Sequence, residues 1–306
     1  QMGLTEMKRI QGELRTELDK LGFGGGSLRD GVQQVAAASG IEPVDTPAQR
    51  DKVLADYQAI LQRAEQGLGV AFDRRPKAQV QILSVPHYRE ANAPLANYVP
   101  PALDGTRHGA TYINLGKPVP VYQMPGLIYH EGIPGHHFQI GIQTELTGVP
   151  TFRRVWITSG FAEGWAVYTE RLAFELGFYK DDPYGNVARL QGQLGRALRM
   201  VVDTGIHYKR WTRQQAIDFM QENGVSSEGA LMFEVDRYIA WPGQACAYGV
   251  GQLKILELRE RARTALGDKF DLKEFHNVVL QNGGTSLTFL EQVMTNYIAS
   301  KVQGPK

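Results

Sequence analysis

The stretch Tyr129-His130-Glu131-Gly132-Ile133-Pro134-Gly135-His136-His137-Phe138-Gln139 constrains this chain more than any other. Three of the seven histidines of the sequence fall between positions 130 and 137, and an acid directly follows the first of them. A His-Glu pair with a second His one turn later presents two zinc ligands and a general base on one helix face. The usual spacing, H-E-x-x-H, is absent, because Pro134 stands where the second His belongs. Proline has no amide N–H, and its ring collides with the carbonyl four residues back, here that of His130. With Gly135 beside it, the helix cannot run regularly through this stretch. Ligands at i and i+4 sit about 40° apart on a helix that turns about 100° per residue. If two residues loop out, His136 takes the i+4 place. On an undistorted helix His137 would share the face of His130, but about 10 Å along the axis, a poor fit to zinc–nitrogen bonds of about 2.0–2.1 Å. His136 is therefore the preferred second ligand, with His137 as the alternative.

The second half of the signal is Ser159-Gly160-Phe161-Ala162-Glu163-Gly164-Trp165-Ala166-Val167-Tyr168-Thr169-Glu170. It reads as a helix opened by Ser159, with Glu163 in its first turn. Glu163 follows His136 by 27 positions, enough chain for a turn near Gly148-Val149-Pro150 and a second helix running back. Glu163 then completes a His₂Glu set with one position left open for water. Glu170, two turns on along the same face, is either a ligand or the group that orients a ligand histidine.

These runs, with Val201-Val202-Asp203-Thr204-Gly205-Ile206-His207 and the segment from Arg237 to Arg259, resemble the bacterial family catalogued as domain of unknown function 885. The resemblance extends from about Gly3 to about Tyr297. It implies a zincin-like catalytic domain of the gluzincin kind, whose third ligand is a Glu on a following helix, with Zn²⁺ as cofactor. Members of the family are mostly about twice this length, and the chain resembles their C-terminal half. The resemblance also places a strand just before the metal helix, with its edge offered to an extended substrate. Residues 109–115 occupy that place, which makes Tyr112 and Asn114 candidate substrate contacts through a sheet edge. By the same resemblance His207, Arg237 and Tyr248 fall near the cleft. Arg237 can clamp a carboxylate, and Tyr248 or His207 can donate to an oxyanion.

The rest of the chain sets bounds. A net charge of +1 marks neither a nucleic-acid nor a membrane partner. No apolar run reaches the length of a membrane span. The single cysteine, Cys246, rules out an intrachain disulfide. No signal peptide is visible, yet the chain begins Gln1-Met2. If a signal segment was removed, the location is extracytoplasmic, either periplasmic or secreted. A second copy or a separate N-terminal portion is the expected partner completing the fold.

Helical periodicity appears at 4–20, from Thr46 to about 66, at 186–209 and after Thr212, with further helices capped by Asp271 and by Thr285 or Ser286. Pro242 reads as the first turn of another helix. Val80–Val85 and Gly109–Leu115 alternate like strands, and residues 98–107 between them read as turn. The glycines from 22 to 26 read as a loop.

The expectation is one mainly α domain over residues 1–306 with a small β-sheet beside the metal helix. His130, His136 and Glu163 hold Zn²⁺, and Glu131 is the general base of an amide hydrolase acting on a peptide or peptide-like substrate, with a lean toward removal of C-terminal residues. Two rivals remain: the same site acting on a non-peptide substrate, and a binding module that keeps the fold. An intact Glu131 beside His130 argues against the second, since binding alone needs no base.

Overall fold

The computed structural model describes residues 1–303. The chain is mainly helical with two small sheets, as expected. Of the stripe expected on helix α1 (Met2–Lys20), Met7, Ile10, Leu14 and Leu18 are buried and Leu4 is exposed. The helix after it, α2 (Leu28–Ser39), was not expected. Ser27 accepts from the Asp30 amide while the Asp30 carboxylate takes the Ser27 amide, a reciprocal cap that starts the helix directly after the glycine loop. Strand β1 (Ile41–Glu42) leads into α3 (Pro47–Gly67), where Thr46 and Gln49 make the same reciprocal cap.

Strands β2 (Val80–Ser84), β3 (Ala96–Val99) and β4 (Gly109–Ile113) form one sheet in the order β2-β4-β3. β4 runs parallel to β2 and antiparallel to β3, with Ala96 opposite Ile113. This corrects the expectation that residues 109–115 offer a free edge. β4 is the central strand, with both sides already paired, and the sheet's edges are β2 and β3; Tyr98 and Val99 of β3 had been read as turn. Strand β5 (Val119–Pro120) closes a two-stranded ribbon with β1.

The remaining elements are helices: α4 (Met124–Glu131), α5 (His136–Glu145), α6 (Phe152–Val155), α7 (Ser159–Glu175), α8 (Pro183–His207), α9 (Arg213–Asn223), α10 (Glu228–Ala240), α11 (Gln244–Leu266), α12 (Leu272–Leu280) and α13 (Leu287–Gln303). Thr158, one residue before the expected Ser159, caps α7. Arg237 sits in the last turn of α10, and Pro242 lies in the link before α11 rather than in its first turn. Two apolar cores result. One joins α3, α4, α5, α7, α12, α13 and most of α11 around Phe138, Phe161, Trp165 and Tyr168. The other joins α1, α2, α8, α9 and α10 around Leu14, Leu194 and Tyr238. Burying each such large side chain stabilises the fold by about 1.5–3 kcal/mol.

Helix α11 contributes to both cores and sets where the site falls. A Cβ built on Gly251 would lie 2.0 Å from the carbonyl oxygen of Gly160, and one on Gly164 would lie 2.5 Å from the Gly251 backbone. Only glycine permits α7 and α11 to approach this closely, and that approach brings the Glu163 turn beside the Tyr248 turn. No helix among the described residues is long and apolar enough to cross a membrane.

Candidate metal centre

The helix that carries His130 stops where the proline argument says it must. α4 ends at Glu131, residues 132–135 leave the helical path, and α5 begins at His136. Two contacts shape the loop. Trp165 Nε1 donates to the Pro134 carbonyl at 2.9 Å from inside the first core. Gly135 lies against the end of α4, where an added Cβ would meet the His130 carbonyl oxygen at 1.8 Å and the Tyr129 carbonyl oxygen at 2.5 Å. Four residues leave the helix rather than two, and His136 returns facing His130, their rings perpendicular with centroids 4.8 Å apart.

Glu163, in the second turn of α7 rather than the expected first, meets both histidines. Its Oε2 lies 3.5 Å from His130 Nε2 and 3.5 Å from His136 Nε2. The three ligand atoms all lie within 4.8 Å of one another. Charge-assisted N–H···O bonds run about 2.7–2.9 Å, so 3.5 Å is long for direct contact. Two ligand atoms on one tetrahedral zinc, with bonds of about 2.0–2.2 Å, stand about 3.3–3.6 Å apart. Glu163 Oε2 is also buried with no hydrogen-bond partner among the described residues, a costly arrangement for a carboxylate unless a cation occupies the space between these groups. The donor set therefore fits a zinc ion.

The surroundings are built around the same three residues. His130 Nδ1 donates to Glu170 Oε1 at 2.7 Å. Glu170 in turn accepts from Arg196 of α8, at 2.6 Å on Oε1 and 3.0 Å on Oε2. That fixes the His130 ring and turns its Nε2 toward Glu163. Of the two places open to Glu170, it stands behind His130 and outside the three-residue cluster. Thr169 Oγ1 donates to the Tyr129 carbonyl at 3.0 Å, which holds α7 against α4.

The electrostatics follow. Burial alone would lower the pKa of His130, but Glu163, Glu170 and Glu131 around it outweigh that and push it up to about 9. Burial would raise Glu163, yet the two imidazoles hold it well below the usual carboxylate range. Without metal the site keeps a proton where a cation is wanted. His137 differs entirely. It is 1% exposed, with Nε2 on the Ala78 carbonyl at 3.0 Å and Nδ1 on the Tyr98 hydroxyl at 3.0 Å. Burial pushes its pKa down to about 4, so it is a neutral core histidine with both nitrogens engaged. Of the two candidates for second ligand, only His136 reaches the cluster.

A cleft of about 440 Å³ opens beside the cluster, lined by His130, Glu131, Glu170, Arg196, Arg199, Glu234, Tyr248 and, from β3 and its approach, Leu95 and Ala96. Glu131 makes no hydrogen bond or ion pair with another described residue. The Tyr248 ring lies 6.4 Å from the His130 ring, nearly parallel to it. Its hydroxyl accepts from Gln244 Nε2 at 3.3 Å, which leaves the phenolic proton free. Burial, and then the charge of Glu163, push the Tyr248 pKa up, so it is a protonated donor at neutral pH.

The remaining candidates stand elsewhere. His207 lies eleven residues beyond Arg196 on α8, about 16 Å along the axis, and its Nε2 is bonded to the Tyr238 carbonyl at 2.9 Å. It does not line the cleft. Arg237 is engaged by Glu234 at 2.9 Å and by Gln244 at 2.7 Å. Asn114 spends its amide on the Glu90 and Ala93 carbonyls and its oxygen on the Gly116 amide, which pins the loop before β3. Tyr112 is half-buried on the central strand, outside the cleft lining. β4 therefore has no free edge on which Tyr112 and Asn114 could meet an extended substrate. Arg196, Arg199 and Gln244 were not anticipated, and Glu234 only as an internal partner for Arg237, a pair the structure contains. They come from three helices far apart in sequence, and no local spacing links them to His130.

Among solved structures, the chain is similar to the putative lipoprotein from Colwellia psychrerythraea, with 40% identity and a TM-score of 0.93 over 98% of this chain and 52% of that one. It is also similar to a putative lipoprotein of unknown function from Shewanella oneidensis, at 22% identity and a TM-score of 0.76, over 96% of this chain and 55% of that one. The second likeness concerns the fold alone. The chain spans about half the length of each of these proteins. No curated protein matches it. The family described as bacterial protein of unknown function (DUF885) matches residues 1–294, almost the entire length, and the chain belongs to that family.

Proposed function

We propose that this chain is a zinc-dependent hydrolase of the gluzincin kind that cleaves peptide or peptide-like amide bonds. The observation that carries this reading is the position of Glu163 Oε2, buried without a partner and 3.5 Å from each of two imidazole nitrogens, with the unengaged carboxylate of Glu131 in the adjoining cleft. His130, His136 and Glu163 hold the metal, and Glu170, braced by Arg196, sets the His130 ring. A bound zinc ion supplies Lewis acidity and brings the acidity of water toward neutral pH.

The protein's own groups do the rest. Glu131 takes the proton of the attacking water and passes it to the leaving amine. Tyr248, held by Gln244, donates its free proton to the oxygen that gains charge. The open edge of β3 binds an extended backbone alongside the cleft. The Colwellia relative is described as a putative lipoprotein, which supports an extracytoplasmic location for this chain too.

The test is Glu131→Gln, assayed on a peptide library with metal content measured in parallel. The variant should retain its metal and lose about 100-fold or more in turnover. A near-normal rate would remove Glu131 as the base. If metal-loaded wild type turns over no peptide, the same site is to be tried on non-peptide amides and esters.

A further inference from the structure

Next to the candidate ligands, a charge set at and behind the cleft wall does not balance. Glu234 Oε2 accepts from Arg199 Nη2 at 2.9 Å, from Arg237 Nη2 at 2.9 Å and from the Tyr238 hydroxyl at 2.6 Å. One carboxylate answers two guanidiniums. Among the described residues no other carboxylate lies within ion-pair distance of either. One positive charge is left over, in a place where burial makes an uncompensated charge costly.

The two arginines are not equivalent. Arg237 has one terminal nitrogen on Glu234 and the other on Gln244, at 2.7 Å. Arg199 bonds through Nε to the Tyr238 hydroxyl at 3.1 Å and through Nη2 to Glu234, and its Nη1 has no protein partner among the described residues. Arg199 lines the cleft that also contains His130 and Glu131. Its guanidinium lies 4.8 Å from the centre of the Tyr248 ring, which is itself 6.4 Å from the His130 ring. The guanidinium is thus no more than about 11 Å from the His130 ring. An extended peptide advances about 3.3–3.6 Å per residue, so that reach corresponds to two or three residues.

We infer that Arg199, with Arg237 and Glu234 behind it, is a carboxylate-binding subsite of the cleft, which selects peptides carrying a carboxylate within about three residues of the bond to be cut. The inference rests on the peptide-hydrolase reading for its substrate class. Arg199 makes the contact. Arg237 is a positioning residue that draws Glu234 away and keeps the Arg199 charge available. The carboxylate comes either from a free chain terminus or from an acidic side chain, and both have the planar two-oxygen face that a guanidinium fork matches.

The test is equilibrium binding of three peptides to the metal-loaded Glu131→Gln protein: N-acetyl-Ala-Ala as the free acid, the same peptide as its amide, and N-acetyl-Ala-Asp amide. The free acid should bind about 10- to 100-fold tighter than the plain amide, as a charge-assisted hydrogen bond provides. Adding Arg199→Ala should abolish that preference. Adding Arg237→Ala should weaken it, because Glu234 then neutralises Arg199 alone. Adding Glu234→Gln should strengthen it, because both guanidiniums are then free. A merely structural role would move acid and amide together and could not give opposite signs for those two changes. An Asp amide that binds like the free acid shows that a side chain serves as well as a terminus, and one that binds like the plain amide names the terminus alone. Equal affinity for acid and amide, a preference that survives Arg199→Ala, or no binding of any of the three overturns the inference. A preserved acid preference without peptide turnover in wild type sinks the hydrolase reading and leaves the subsite standing. Turnover with no acid preference does the reverse.

Discussion

Gly135→Ala is the perturbation that isolates the backbone crossing on which the site depends. A Cβ at this position would sit 1.8 Å from the His130 carbonyl oxygen, 2.5 Å from the His130 carbonyl carbon and 2.5 Å from the Tyr129 carbonyl oxygen. All three are backbone atoms in the last turn of the metal helix, so no side-chain rotation relieves the clash. Restoring even a tight contact of 3.0 Å needs a movement of more than 1 Å between the loop and that turn. His136 is the next residue, whereas metal–ligand distances tolerate only about ±0.2 Å. The variant should lose about 100-fold or more in zinc affinity, beyond the 10- to 100-fold typical of disturbing a supporting group. It should also lose about 1–3 kcal/mol of stability, as overpacked sites do. Gly12→Ala is the matched control, because an added Cβ there meets nothing within 4 Å. In mid-helix α1 that change should be neutral or stabilising by about 0.5–1 kcal/mol. The assays are zinc competition against a chromophoric chelator and denaturant unfolding of the chelated proteins. If Gly135→Ala bound zinc within threefold of wild type, the crossing would not be what presents His136, and the reasoning would fail.

Two further outcomes follow from the same geometry. Glu170→Gln replaces the carboxylate bonded to His130 Nδ1 at 2.7 Å and leaves Arg196 without its anion, so zinc affinity should fall about 10- to 100-fold while the fold persists; unchanged affinity would show that the ring needs no such brace. In the chelated protein the His130 pKa is raised from 6.5 to about 9. Its stabilisation, on the order of 3 kcal/mol at about 1.4 kcal/mol per unit, is fully present below about pH 6.5 and is lost as pH rises through about 9. Chelated protein should therefore weaken between about pH 7 and 9.5 in urea titrations while zinc-loaded protein holds, and equal stability of the chelated form across that window would count against the coupling.

Much of the site was legible because its chemistry is local. Pro134 and Gly135 dictate a break after Glu131, and the break is there. The choice between His136 and His137 rested on reach along a helix axis, and the structure gives the complementary reason, since His137 is buried with both nitrogens engaged. Glu163 and Glu170 were identifiable because seven residues on one helix share a face. The rest was less visible. Residues 98–107 carry Pro100, Pro101, Asp104 and Gly105, and that turn chemistry masked the end of β3. With β3 missed, β4 looked like an edge, although it sits between a parallel and an antiparallel neighbour. His207 was placed near the site by the family resemblance alone, and it lies about 16 Å along α8 from Arg196 with its Nε2 on the Tyr238 carbonyl. Arg196, Arg199 and Gln244 become neighbours of His130 through helix packing, including the glycine contact of α7 with α11, and helix packing leaves no short-range spacing to read.

The most direct test of the central claim is the zinc content of purified, zinc-equilibrated protein, as wild type and as His130→Ala, His136→Ala, Glu163→Ala and His137→Ala. The account predicts one zinc per chain in wild type, none in the first three variants, and retention in any His137→Ala protein that folds. Wild type that binds no zinc, or a variant set in which His137→Ala loses the metal while His136→Ala keeps it, would contradict the assignment of His130, His136 and Glu163 as the metal centre.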